Sequence, residues 1–279
     1  MSPKLKMCLV LSGALVFSSV AVQAQRHSSD GPPPFGAPME LMGFEGMHGG
    51  KIVKGAPFSA TATSETTSTL QDGSVLHRTF QVSMYRDSQG RSRHEATFTG
   101  FGPLTASGGS KKMVMISDPV AGVHFMLDDA QKVAHKSPLH AHGGGAANAE
   151  SAPEFAGKMQ ERMQQEESTG LLKKESLGTQ TINGVVAEGT RTTRTIPAGQ
   201  IGNEKPLQVV SERWYSADLQ IVLKSTRTDP RTGTTTYTVT NLQRTEPAAT
   251  LFAVPADYTV QAGGRGPAGR GPAGAPPID

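Results

Sequence analysis

Cysteine is almost absent from this sequence. Its 279 residues include one cysteine, Cys8, within an N-terminal segment that has the features of a cleaved signal peptide. This segment, residues 1–24, has two lysines near its start, an apolar run from Met7 to Val22 and a small residue at Ala24. Cleavage near Ala24 leaves a mature chain without a thiol, which excludes disulfides, Cys metal sites and Cys nucleophiles. We therefore predict a periplasmic or extracellular protein.

The sequence also lacks an excess of one charge and the motifs of the common enzyme classes. Lys and Arg number 27 against 24 Asp and Glu, without the clustered positive charge that nucleic-acid binding needs. No Gly-X-Ser-X-Gly, Ser-X-X-Lys or His-Glu-X-X-His motif, phosphate loop or dinucleotide fingerprint is present. His77, His94 and His124 lie within strand patterns, where histidines are commonly structural. We predict a protein that is not an enzyme, with no cofactor and no nucleic-acid partner.

Glycine and proline are concentrated towards the two ends of the chain. Residues 25–57 include three consecutive prolines and a Gly/Met stretch, and residues 261–279 carry Gly-Arg-Gly-Pro-Ala twice. Neither segment keeps an apolar period, so we predict a disordered leader at 25–57 and a disordered tail at 261–279, on either side of a single domain at 58–260. The short N-terminal apolar run and the basic tail favour peripheral rather than integral membrane contact.

The central domain is dominated by short segments in which polar and apolar residues alternate. These segments are rich in Thr and other β-branched residues, and turn sequences such as Asn183-Gly184 separate them. Connections of two to six residues are too short for parallel crossovers, so the pattern predicts about eleven strands in successive antiparallel hairpins.

One segment has helical rather than strand periodicity. Residues 151–168 place Phe155, Met159 and Met163 four positions apart, which predicts one amphipathic helix near residues 152–168. The predicted fold class is therefore α+β, a large curved antiparallel sheet covered by this one main helix.

Several short segments resemble outer-membrane lipoprotein-sorting-like (LolA/RseB-like) periplasmic proteins, and the chain as a whole resembles exported proteins of soil bacteria. In chain order the segments are Met113–Pro119, Val123–Asp128, Ile182–Thr190, Glu212–Ser216 with Leu219–Leu223, and Leu251–Tyr258. The resemblance implies a half-barrel of about eleven antiparallel strands, with an apolar concave face that holds acyl chains in some members. It implies no catalytic residue.

Apolar side chains in the predicted strands are the candidate ligand-binding residues. They either fill a core or line a cavity, and the methionines among them favour an adaptable pocket: Phe80, Val82, Met84, Met113, Met115, Phe125, Tyr215 and Ile221. The leading hypothesis is an exported non-enzymatic protein that binds an apolar or lipid-like ligand, a lipoprotein or an envelope protein on the concave face. The alternative is a surface or matrix interaction protein with a fully packed core.

Two groups of soft ligands predict a further function, low-affinity binding of copper or zinc. One is a His-rich loop beside three glycines, and the other combines thioethers with an imidazole in the leader, a set suited to Cu(I). The residues are His135, His140 and His142 in the loop, and Met39, Met42, Met47 and His48 in the leader. The alternative for the loop is a solvated polar segment.

Overall fold

The structure is a computed structural model that describes residues 52–99, 110–139 and 152–262. The predicted signal peptide, nearly all of the leader and all but the first residues of the tail lie outside this part of the chain. The predicted domain boundaries therefore stay predictions.

The described residues form twelve strands, one α-helix and one short 3₁₀ helix. In chain order they are β1 (Phe58–Thr69), β2 (Val75–Arg86), β3 (Ser92–Thr99), β4 (Ser110–Asp118), β5 (Val123–Asp128), β6 (Val133–Pro138), α1 (Ala152–Ser168), β7 (Leu172–Ile182), β8 (Val185–Ile196), β9 (Leu207–Ser216), β10 (Ile221–Asp229), β11 (Gly233–Gln243), the 3₁₀ helix (Ala249–Phe252) and β12 (Thr259–Ala262). The α-helix lies where the sequence predicts it.

All twelve strands belong to one open sheet. Their order is β12-β6-β5-β4-β3-β2-β1-β11-β10-β9-β8-β7, so that β1 and β11 are neighbours at its centre. Every pair is antiparallel except β12 with β6, which is parallel. The predicted large curved sheet is confirmed, but it is mixed rather than wholly antiparallel, because β12 follows the covering segment described below and returns alongside β6.

Small side chains and bulges allow the sheet to bend. Ala60, Ala62 and Ser64 of β1 point to one face and are buried. With so little volume on β1, the Tyr237 hydroxyl of β11 reaches across to the sulfur of Met84 on β2, 3.9 Å away. Irregularities in pairing also interrupt β1, β7 and β10, and bulges increase the local twist.

The helix α1 lies at one edge of the sheet instead of covering it. It packs against β7, the edge strand. Glu167 pairs with Lys174 of β7, and Glu166 pairs with Arg194 of β8 at 2.9 Å. Met159, which the periodicity assigned to the buried side, is 51% exposed. The predicted covering role is therefore corrected: the polar residues of α1 fix it to the sheet edge. No helix among the described residues is long and apolar enough to span a membrane.

A C-terminal stretch covers part of one sheet face instead. Residues 249–258, which we call the covering segment, place Val254 and Tyr258 against a buried cluster formed by Val114, Ile116, Leu127 and Ala134. The Tyr258 hydroxyl also donates to Asp129 at 2.7 Å. We call the covered side the outer face. Most of the covering segment is the Leu251–Tyr258 motif of the sequence resemblance, so the described contacts of that motif are structural.

Candidate functional site

The opposite side of the sheet carries a larger apolar cluster, and we call this side the inner face. Its buried members come from β1, β2, β3, β4, β8, β10 and β11, together with Ala56 from the segment before β1 and Leu219 from the β9–β10 turn. Leu219, Leu223 and Val239 are fully buried. One apolar wall therefore runs across most of the sheet width.

Half-buried side chains extend this wall towards solvent. They include three aromatic residues and a methionine, and they are Phe80, Met113, Trp214, Ile221, Tyr237 and Leu242. Aromatic and methionine side chains that keep part of their surface exposed are typical of the lining of an apolar binding site.

One contact between distant strands and one between neighbouring strands shape the inner face near the β7–β8 hairpin. The Asn183 side chain, at the tip of the β7–β8 hairpin, donates to the Val239 carbonyl of β11 at 2.6 Å. Trp214 of β9 lies directly on Gly189 of β8, where an added Cβ would meet the indole ring at 2.7 Å. Asn183 and Gly184 both have positive φ, as a two-residue hairpin turn of this sequence requires. The β7–β8 hairpin therefore curls over the inner face.

A buried arginine lies at one end of the wall. Arg86 Nε donates to the Ala56 carbonyl at 2.9 Å, Nη2 donates to the Leu219 carbonyl at 2.6 Å, and the guanidinium lies 4.7 Å from the Phe58 ring centroid. Burial lowers the pKa of Arg86 to about 10, partly offset by Tyr215, so it stays a cation at neutral pH. Among the described residues, no carboxylate pairs with it.

The structure brings together six of the eight predicted ligand-binding residues. Val82, Met84 and Met115 are buried in the inner-face cluster, and the other three pack against it as half-buried residues, namely Phe80, Met113 and Ile221. Phe125 lies on the outer face, because it pairs with Ile116 and packs in the second cluster. Tyr215 is half-buried, with the Arg213 guanidinium 5.2 Å from its ring, and belongs to neither cluster.

Three residues that shape the inner face are not among the predicted ligand-binding residues. Trp214 and Tyr215 are neighbours on a strand and must point to opposite sides, but only the structure shows that Trp214 faces the cluster. Tyr237 is hidden in a run of threonines, and the pattern around Arg86 does not distinguish a buried arginine from an exposed one.

Burial also affects two histidines of the sheet. Burial, and secondarily the charge of His124, lowers the pKa of His94 to about 4. Burial lowers the pKa of His124 as well, and its Nδ1 lies 3.0 Å from the Ser117 hydroxyl. Both imidazoles are therefore neutral at pH 7.

Only one of the predicted metal ligands lies within the described chain. His135 is half-buried on β6. His140 and His142 of the loop, and Met39, Met42, Met47 and His48 of the leader, lie outside the described residues. In the part that the structure describes, no three His, Asp or Glu side chains are grouped so that they could hold a metal ion.

Comparisons with known proteins give structural neighbours only. No protein-family model matches the sequence, and no curated protein matches it. The chain is similar to the MucA/MucB complex of Pseudomonas aeruginosa, with 14% identity and a TM-score of 0.38 over 80% of this chain and 63% of that chain. It is also similar to LprF from Mycobacterium bovis, with 11% identity and a TM-score of 0.30 over 79% of this chain and 98% of that chain.

A third neighbour carries the family name that the sequence resemblance gave. It is a LolA superfamily protein from Nitrosomonas europaea, with 6% identity and a TM-score of 0.28 over 77% of this chain and 96% of that chain. LolA-like and MucB structures are thus among those that the chain is similar to. Matches to three MucB-containing structures span 63%, 55% and 64% of those chains.

Proposed function

We propose that this protein is an exported, non-enzymatic binding protein that holds an apolar or lipid-like ligand on its inner face. The observation that carries the proposal is the continuous apolar wall built from seven strands, with half-buried Phe80, Met113, Trp214 and Tyr237 at its surface. Apolar surface that a chain leaves partly exposed in a concave site is stabilised by an apolar ligand, at about 25 cal/mol for each Å² buried.

The charge and surroundings of Arg86 favour a ligand that has an acidic head group. It is a buried cation at the end of the wall, and its described partners are two neutral carbonyls and one aromatic ring. A carboxylate or phosphate is the complement that a guanidinium binds best. The proposed ligand therefore combines acyl chains on the wall with an anionic group towards Arg86.

A fluorescent fatty acid tests this proposal directly. Trp214 is the only tryptophan of the chain and packs against the wall, so a bound polyene fatty acid quenches its emission by energy transfer. We expect saturable binding with a stoichiometry near one. If the same residues fill a closed core, as in the alternative reading, the probe leaves the Trp214 emission unchanged.

A matched pair of substitutions assigns the binding to the inner face. Met113→Lys places a charge at a half-buried wall position, whereas Met159→Lys places the same charge on exposed α1. We expect Met113→Lys to weaken probe binding at least about tenfold, because a charged group in an apolar site must be desolvated. Met159→Lys should bind as the unaltered protein does. Equal binding by both variants, each shown to be folded by circular dichroism, would place the ligand elsewhere.

A further inference from the structure

A single row of methionine and histidine side chains crosses five neighbouring strands on the inner face. Each member is the direct cross-strand partner of the next, in the order Met84 (β2), His94 (β3), Met115 (β4), Met126 (β5) and His135 (β6). Directly opposed residues of antiparallel strands point to the same side, with Cβ atoms about 4.5–5.5 Å apart. Three thioethers and two imidazoles therefore share one level of one face.

The row runs from the packed interior to solvent. Met84 and Met115 are 4% and 3% exposed, His94 and His135 are half-buried, and Met126 is 42% exposed. Met84 already accepts the Tyr237 hydroxyl and belongs to the apolar wall. The middle of the row is therefore an apolar setting that stays open to solvent on the Met126 side.

The chemistry of the row selects a soft metal ion. Thioether sulfur and neutral imidazole nitrogen are ligands that favour Cu(I), whereas Mg²⁺, Ca²⁺ and Mn²⁺ prefer oxygen. The five positions include no carboxylate.

Strand spacing decides which members of the row lie close enough to act together. Adjacent strands lie about 4.8 Å apart, so the full row spans more than one ion can bridge. An ion above β4 has Met115 beneath it, with His94 and Met126 one strand away on either side. The long, flexible methionine side chain reaches across such a spacing.

We propose that His94, Met115 and Met126 form a Cu(I)-binding site on the inner face. This site is separate from the predicted leader ligands and does not depend on the proposed apolar ligand. The burial of Met115 gives the ion a weakly hydrated setting, and the exposure of Met126 gives it a route in from solvent.

Competition with a chromophoric Cu(I) chelator under anaerobic conditions tests the site in the full chain. Met126→Leu and Met115→Leu remove a thioether while conserving most of the volume, so the fold is retained. We expect each to weaken one Cu(I) equivalent at least about tenfold, and His94→Gln to do the same. The control is Met159→Leu, at an exposed position on α1, which should leave the affinity unchanged.

The leader is tested in parallel, because it carries its own soft ligands. A variant with Met39, Met42 and Met47 changed to Leu and His48 changed to Gln should still bind one Cu(I) ion as tightly as the unaltered chain. This is the same Cu(I) ion whose binding Met126→Leu weakens. X-ray absorption of that variant should show sulfur and nitrogen neighbours around copper. The proposal is overturned if all Cu(I) binding disappears with the leader ligands, or if Met115→Leu and Met126→Leu bind Cu(I) as tightly as the unaltered chain.

Discussion

The two apolar clusters of the sheet are enclosed in different ways. On the outer face, Val114, Ile116 and their neighbours are covered by Val254 and Tyr258 of the covering segment. On the inner face, the described members of the cluster come mostly from the strands themselves, with Val53 and Ala56 added from the segment before β1 and Leu219 from the β9–β10 turn. The outer cluster is a core closed by its own chain, whereas the inner cluster is a curved wall.

Because of this difference, we expect the two clusters to contribute differently to the stability of the fold and to the binding of a ligand. A cluster sealed by a segment that is anchored at several points has little apolar surface left for a ligand. A wall that keeps Phe80, Met113 and Trp214 half-buried still has such surface. We therefore expect changes in the covering segment to lower stability without changing ligand binding, and changes in the wall to affect both.

The largest expected effect is that of Phe252→Ala in the covering segment. Phe252 is 4% exposed and lies 5.3 Å from the Arg91 guanidinium, so truncation leaves a cavity and removes a cation–π contact. We expect the free energy of unfolding to fall by about 3–4 kcal/mol in urea denaturation, with unchanged binding of the fatty-acid probe. Val120→Ala, at a 63% exposed position, is the control and should change stability by less than about 0.5 kcal/mol. If folded Phe252→Ala lost probe binding, the outer face would contribute to ligand binding as well as to stability, and the comparison of the two faces would be wrong.

The strand content of this fold follows from local sequence. Alternating Thr-rich segments and turn sequences such as Asn183-Gly184 specify strands and their hairpins, because both signals act over a few residues. The pairing of β1 with β11 at the centre of the sheet is different, since it joins segments about 170 residues apart. No local pattern encodes that pairing.

The faces of the sheet were predictable only in part. Alternation groups Met113 with Met115 and separates them from Val114 and Ile116, and the structure keeps that separation. It does not say which strand continues which face, and only the structure shows that Phe125 lies on the outer face, apart from Met113 and Met115. For α1, the four-residue spacing of Phe155, Met159 and Met163 indicated a covering helix. The exposure of Met159 shows that an apolar period does not by itself decide what a helix covers.

An intermediate effect is expected from Gly189→Ala on the inner face. The new Cβ would lie 2.7 Å from two atoms of the Trp214 ring and 2.8 Å from the Leu177 Cβ, closer than side chains tolerate. The indole must move, at a cost of about 2 kcal/mol in the free energy of unfolding. Unlike Phe252→Ala, this change should shift the Trp214 emission of the folded protein and weaken probe binding. Gly157→Ala, with open space around the added Cβ on α1, is the control. An unshifted emission would show that Trp214 is not fixed against Gly189.

The smallest effect concerns the turn between β10 and β11. Asp229, 3% exposed at the end of β10, accepts the Arg231 backbone N–H and binds the Arg231 guanidinium through both carboxylate oxygens. These hydrogen bonds, with the Arg231 side chain first, lower the pKa of Asp229 below its ordinary 3.8. Asp229→Asn loses the charge-assisted bonds, and we expect a fall of about 1.5 kcal/mol in the free energy of unfolding at pH 7.

The pH dependence of that difference gives the sharper test. Because the pKa is lower in the folded protein than in the unfolded chain, the carboxylate stabilises the fold fully above about pH 5, and this contribution disappears as the pH falls through the folded pKa. The stability gap between the unaltered protein and Asp229→Asn should therefore be constant from pH 7 to 5 and close towards pH 2. The other carboxylates titrate in both proteins and cancel in the difference. Asp218→Asn, at a 63% exposed turn position, should show no gap at any pH. A gap for Asp229→Asn that does not narrow as the pH falls from 5 towards 2 would mean that the side chain acts through its shape alone.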